Sequence, residues 1–295
     1  MRVSALAILH NRVDLFIETI QSVLDQSYPV DEFIVVDDGS TEDVKGAIDA
    51  FNDPRIKYFY VERVGVISKL RNISVSKCTG DLVAFIDSDD LWHKDKIKLH
   101  IEAMQKQPCD ISFSDCQLFN TEGNIGPSAA AAIHGKEVDV FKELTEKNLS
   151  LAFGTNLFCK RIIDNKLIHF DERLFVGEHD LITMLCARHK SIFIPKVLNF
   201  IRRHDRNVSK ENSILDIIGP LEYNRTIDKL LAGKFIPQHL FKKIKALNYS
   251  KIAGYYMIKG LYNKSMVYLL NSIKLDFKVY YLKILLKVFL LKLKK

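Results

Sequence analysis

Several features that would place the chain in a large protein class are missing from it. The five cysteines, Cys78, Cys109, Cys116, Cys159 and Cys186, are odd in number and scattered, with no CxxC pair. This spacing argues against a secreted disulfide framework or a cysteine zinc site and fits a reducing, cytoplasmic setting. No run of 18 uncharged apolar residues occurs, so a membrane span of the usual kind is not expected. The nearest approach, residues 279–291, is interrupted by Lys283 and Lys287. After Arg2 the first apolar stretch ends at Leu9 and runs into His10, Asn11 and Arg12, unlike a secretory leader. Glycine is absent before Gly39, which leaves no Gly-rich phosphate loop behind the first apolar run. With only 13 Gly and 7 Pro, neither a collagen-like nor a low-complexity chain is indicated.

What is present is core-forming material: 295 residues, 47% hydrophobic and 27% charged, enough for one large domain and an appendage. The net charge of +7 is unevenly divided. Residues 206–295 hold 18 Lys and Arg against five Asp and Glu, a net of +13, while residues 1–205 carry a net of −6. The basic character therefore belongs to the last 90 residues.

Apolar runs at 3–9, 33–36, 56–61 and 82–86 read as strands, and residues 15–24 and 65–77 carry helical spacing between them. Strands alternating with helices imply an open α/β sheet, which binds ligands at the carboxyl ends of its strands. A helix over 97–107, a strand block over 110–119, a helix over 181–187 and a strand pair over 192–201 broken by Pro195 follow. Between them, residues 121–135 are small and irregular, with four alanines between Gly126 and Gly135, and read as a mobile loop. Beyond residue 209 helical signals take over. The expected division is 1–209, with halves 1–100 and 101–209, followed by 210–295.

Two acidic clusters fall at strand ends. Asp87, Ser88, Asp89 and Asp90 put three carboxylates within four residues; a divalent cation shared with phosphate stabilises such a cluster, whereas a solvated Asp-rich turn would need none. Asp37 and Asp38 can accept hydrogen bonds from a base or ribose; the alternative role of this segment is a helix cap by Ser40 or Thr41. Arg71 offers a cation for phosphate or an ordinary ion pair. Trp92 stacks on a ligand or packs in the core.

These segments, in their order, resemble the family 2 glycosyltransferases of GT-A fold. The resemblance rests on Asn11-Arg12, residues 22–29 (SVLDQSYP), residues 33–41 (FIVVDDGST), Arg71-Asn72, Gly80-Asp81, residues 85–92 (FIDSDDLW), Phe170-Asp171-Glu172, residues 177–181 (GEHDL), Arg202-Arg203-His204 and Asn207-Val208-Ser209. It covers about residues 1–209. It implies an α/β GT-A fold, a Rossmann-like mixed sheet flanked by helices, with a C-terminal α-helical extension. It also implies an inverting transfer from a nucleotide-diphosphate sugar, a UDP-sugar first among them, with Mn²⁺ or Mg²⁺ as cofactor. The acceptor class is a glycan or lipid-linked glycan of bacterial surface polysaccharide or lipopolysaccharide assembly.

By position, Asp38 looks like the carboxylate that reads the base, with Asn11, Arg12, Arg71, Asp87 and Ser88 along the nucleotide sugar. Asp87, Asp89 and Asp90 look like the cluster that holds ribose, sugar and metal, with the metal-touching member left open. His204 matches a position near the diphosphate, as metal ligand or phosphate contact. Inversion also needs a carboxylate base opposite the leaving group. Here Gly177-Glu178-His179-Asp180 has His where many members have Asp; Gly177 and Leu181 favour Glu178, with Asp180 as the alternative.

The tail has a helical-hairpin pattern in Ala253, Tyr255, Gly260, Tyr262, Ser265, Tyr268 and Ile273, similar to one tetratricopeptide unit. Residues 277–295 contain six lysines and no acid among Leu, Ile, Val, Phe and Tyr. Lys283, Lys287 and Lys294 share a narrow polar face, which suits a helix lying in a membrane interface. The expected location is cytoplasmic, at the inner face of the cell membrane, with packing on the catalytic domain or a second subunit as the alternative. Nucleic acid is not an expected partner, because the basic segment is too apolar to track phosphates. A sugar nucleotidyltransferase would need the missing Gly-rich loop, and a degenerate sugar-nucleotide-binding scaffold would not need intact acidic clusters.

Overall fold

A computed structural model describes residues 1–126, 139–146, 153–159, 169–207 and 215–293. The expected loop at 121–135 lies outside them from residue 127, as does the expected boundary at 209/210. Contacts group the chain into two compact units, Met1–His204 and Asp205–Lys295.

The first unit is built on a parallel core. β1 (Val3–Leu9), β2 (Glu32–Asp38), β3 (Ile56–Val61) and β4 (Leu82–Phe85) lie in the order β3-β2-β1-β4, every neighbouring pair parallel. The intervening crossovers are α1 (Val13–Leu24), α2 (Val44–Asp49) and α3 (Ile67–Ser76). The three inner strands of this core, β1, β2 and β4, are buried on both faces, and the alternation of β1 shows how. Val3, Ala5, Ala7 and Leu9 face one core with Phe16, Ile20 and Val23 of α1. Leu6 faces the other with Ile34, Val36, Phe85 and Leu70 of α3.

The sheet then continues as a mixed one. β5 (Leu91–Trp92), α4 (Lys96–Lys106), β6 (Ile111–Asn120), β7 (Gly123–Ile125), α5 (Val140–Glu146), β8 (Asn156–Cys159), α6 (Glu178–Cys186) and β9 (Ser191–Arg202) follow in the chain. β8 runs antiparallel between β4 and β6, β9 is parallel to β6, and β5 closes the edge antiparallel to β9. Two antiparallel steps restore direction, so β9 ends on the same edge of the sheet as β1, β2 and β4. Residues 191–202 form one strand rather than the pair expected from Pro195. The register against β6 slips between Ser114 and Cys116, passing over Pro195 and Lys196, and a proline without an N–H is accommodated at such a bulge.

Glu32 fastens the start of this sheet. Its buried carboxylate accepts from Ser4 Oγ at 2.6 Å, from Lys57 Nζ and from the Thr79 N–H. Burial alone would raise its pKa, but Lys57, Ser4 and Thr79 outweigh it and bring the group from 4.5 down to about 2. A depressed carboxylate contributes stability that is complete above the unfolded value and is lost as pH falls through the folded one. Glu32→Gln is therefore expected to lower stability at neutral pH and to flatten its decline between pH 4.5 and 2, as measured by denaturant titration across that range.

The second unit is helical: α7 (Leu215–Ala232), α8 (Gln238–Ile258), α9 (Tyr262–Leu275) and α10 (Val279–Leu293). Gly260, at φ 70°, turns α8 into α9. Small residues then let the two helices approach: Ser265 Oγ donates to Ala253 O at 2.8 Å and Ser272 Oγ to Ala246 O at 2.9 Å. Among the described residues no helix is long and apolar enough to cross a membrane.

Candidate active site

Segments following β1, β2, β3, β4 and β9 meet at the carboxyl edge of the sheet. Behind β1, Asn11 and Arg12 take successive left-handed conformations, φ 58° and 65°, a costly arrangement for residues other than glycine. Asn11 maintains it. Its N–H donates to Ser40 Oγ at 2.7 Å, and its Oδ1 accepts from the Thr41 and Glu42 N–H groups at 2.8 and 3.2 Å. Asn11 thus clamps the first turn to the second. Arg12 is thereby aimed along the edge, with Nη1 2.7 Å from Asp89 Oδ2 and Nη2 3.2 Å from Ser88 Oγ.

Behind β2 the two aspartates differ. Asp37 is buried and accepts from Tyr58 Oη at 2.7 Å and the Ser40 N–H at 2.9 Å. Asp38 holds the loop after β3: it accepts from the Val64 N–H at 2.6 Å and the Gly65 N–H at 3.1 Å, and pairs with Arg63. Arg63 has no motif to mark it; its position two residues past a strand, on the ligand edge, is the signal that sequence offers. Gly39 sits between these systems at φ 66°, and a Cβ there would lie 2.9 Å from the Arg63 nitrogen. Gly39→Ala is expected to cost about 1–3 kcal/mol from left-handed strain and the backbone clash, read as a lower denaturation midpoint.

The turn after β4 distributes its carboxylates in three directions. Asp87 is 45% exposed and meets Arg71 Nη2 at 3.1 Å. Asp89 Oδ2 lies between Arg12 Nη1 and His204 Nε2, the latter 3.1 Å away. Asp90 turns inward. It is buried, accepts from the Arg202 N–H at 3.1 Å and lies 3.4 Å from Asn199 Nδ2. Burial first, then Asp87 and Asp89, push its carboxyl well above the usual range. Asp90 thus ties the turn to β9, beyond whose end His204 lies.

The floor under this turn is polar. Trp92 is buried in the core, so it packs rather than presenting a stacking face, and Lys96 Nζ lies 5.3 Å from its ring centroid. Lys96 is fully buried and donates to Gly154 O at 2.7 Å; burial pushes its amine down to about 7. Neither Lys96 nor Asn199 was distinguishable by sequence, since a lysine in an amphipathic helix and an asparagine in a strand read as surface residues.

Arg71 joins the two halves of the site. It is 3% exposed, lies 5.5 and 6.0 Å from the ring centroids of Phe85 and Phe170, and uses one nitrogen, Nη2, to contact both Asp87 and Glu178. Glu178 opens α6 behind Gly177, whose φ of 70° sets the turn. Asp180 is buried, two residues on and so about 200° around the helix; its charge acts on Arg173. The structure thus brings Glu178 to Arg71, which also meets Asp87. His179 is exposed and pairs with Thr183 Oγ1 at 3.2 Å.

Among the described residues no three His, Cys, Asp or Glu side chains are grouped so as to hold an ion by themselves. Asp89 and His204 nonetheless offer an oxygen and an imidazole nitrogen side by side, 3.1 Å apart. This donor set fits Mg²⁺ or Mn²⁺ bound through few protein ligands, with phosphate oxygens completing its shell.

The carboxyl-edge site on a mixed sheet is that of a GT-A protein, and residues 4–168 match the family model for glycosyl transferase family 2. The chain belongs to that family. It is 35% identical over 203 residues, 68% of its length, to an uncharacterized glycosyltransferase of Rickettsia felis, of which it spans a third. It is 26% identical over 267 residues, 86% of its length and 82% of the relative's, to the GalNAc(5)-diNAcBac-PP-undecaprenol beta-1,3-glucosyltransferase of Campylobacter jejuni. The crystal structure of S. aureus TarS 1-349 in complex with UDP-GlcNAc shares the fold, with a TM-score of 0.71 over 93% of this chain and 81% of that one, at 15% identity.

Proposed function

We propose that the chain is an inverting, metal-dependent glycosyltransferase that moves a sugar from a UDP-sugar to a lipid-linked glycan at the cytoplasmic face of a bacterial membrane, in surface polysaccharide assembly. The observation that carries this reading is the single Arg71 nitrogen shared by Glu178 and Asp87, which sets a candidate base beside the acidic donor turn.

The nucleotide lies along the carboxyl edge, with its base toward Asp38 and the 63–65 loop and its phosphates toward Arg12. Asp87 and Ser88 take the ribose and sugar side. Glu178 accepts the acceptor hydroxyl's proton as that oxygen bonds to the anomeric carbon and the nucleotide diphosphate departs from the opposite face. A divalent cation, when bound by Asp89 and His204, supplies charge to offset the leaving diphosphate. Arg71 orients Glu178, and the buried Asp90 holds the turn so that Asp89 and His204 face the same space.

Support for donor and acceptor class comes from relatives. TarS has been crystallised with UDP-GlcNAc, and the name of the Campylobacter relative describes a glucosyltransferase acting on an undecaprenol diphosphate glycan. The test is a thermal-shift screen of UDP- and other nucleotide sugars with Mn²⁺ or Mg²⁺, followed by transfer to undecaprenyl-diphosphate glycans. Metal-enhanced stabilisation by one donor, followed by product, is the expected result. No stabilisation by any nucleotide sugar would overturn the reading, and donor binding without transfer would favour a sugar-nucleotide-binding scaffold.

A further inference from the structure

Helix α10 carries apolar residues on two separate sides, and the structure shows which side is already used. Tyr281, Ile284, Leu285 and Val288 turn inward, the last three packed with Ala253 of α8 and Leu269 of α9. A second stripe is left outside: Val279, Leu282, Leu286, Phe289, Leu290 and Leu293 are 60, 40, 60, 44, 51 and 67% exposed. At about 100° per residue these six fall within an arc of roughly 100°, with no polar residue among them. Exposed Lys283 and Lys287 border the arc on one side, and exposed Lys292 lies beyond its other border. Lys294, expected on the same polar face, lies outside the described residues.

We propose that this outer stripe of α10 is a docking surface for an anionic lipid bilayer, with the helix lying in the plane of the interface. Large apolar side chains open to solvent in one contiguous row mark an interaction surface. The row here matches the interfacial mode, with apolar residues entering the acyl boundary and flanking lysines extending their stems to reach the headgroups. Charge selects lipid over a second copy. Pairing two outer stripes would bring the lysine borders of both copies together, and residues 277–295 contain no acid to compensate them. Anionic headgroups meet the same lysines with opposite charge.

The inference does not depend on the transfer reaction, and its test needs no donor. The full chain is sedimented with phosphatidylcholine vesicles with and without phosphatidylglycerol. Expected is binding to the anionic vesicles that weakens as salt is added. A Leu286→Glu/Leu290→Glu variant changes only solvent-exposed side chains and should keep the parent's melting temperature while binding about tenfold more weakly or less. Lys283→Glu/Lys287→Glu should produce a similar loss on anionic vesicles alone. Undiminished binding by the leucine variant overturns the proposal, as does equal binding to vesicles without anionic lipid. So does a dimer in light scattering that the leucine variant dissociates, which would assign the stripe to a second copy.

Discussion

Glu178→Gln is expected to leave donor binding unchanged and to reduce turnover by about 10²–10⁴-fold, the usual range for losing a positioned general base. The substitution is nearly isosteric, and its amide oxygen can still accept from Arg71 Nη2, so the link to Asp87 survives. What disappears is the ability to take a proton. The measurement pairs donor affinity by calorimetry with single-turnover transfer. Normal affinity and a collapsed rate place Glu178 at the chemistry. Retained turnover, with loss in Asp180→Asn, would transfer the role to the buried carboxylate two residues on.

The second large effect is at Asp89. Replacing it with Ala removes the acceptor that Arg12 and His204 share, and is expected to lower transfer by about 10³-fold and to abolish stimulation by Mn²⁺ or Mg²⁺. Asp89→Asn separates charge from structure. It keeps an oxygen for Arg12 and His204, so it should melt close to the parent while still failing to respond to metal. The readout is donor-induced thermal shift measured with metal and with chelator. A metal response that survives in both variants would remove Asp89 from the ligand set.

Much of the catalytic unit was legible because its strands are long and apolar and its chemistry sits at their ends. The runs containing β1, β2, β3, β4 and β6 announce themselves, and the aspartates that stop β2 and β4 lie at the carboxyl edge. β5 and β7, of two and three residues, are too short for periodicity to register. Placing β8 antiparallel between β4 and β6 is a tertiary outcome that local sequence does not carry. Pro195 misled for a related reason: the rule against proline in strands is relaxed where register slips, and register belongs to the pair of strands.

Within the acidic turn, sequence could name three aspartates but could not orient them. All three fall within four residues, yet Asp87 points to Arg71, Asp89 to Arg12 and His204, and Asp90 into the protein toward β9. Backbone direction through a turn sets this, and composition holds no trace of it. The pairing of Arg71 with Glu178 likewise spans 107 residues of chain.

The sequence by itself determined the alternation of strand and helix, the acidic clusters at strand ends and the division of charge between an acidic first unit and a basic second one. Those are properties of local pattern, and burial of a period-2 or period-3.6 stripe enforces them. Only the tertiary structure decided that Glu178 reaches Arg71, that Asp90 turns inward toward β9, and which of two apolar sides of α10 stays exposed. Two carboxylates in one motif, or two stripes on one helix, are equivalent until neighbouring elements pack against one of them and leave the other to act.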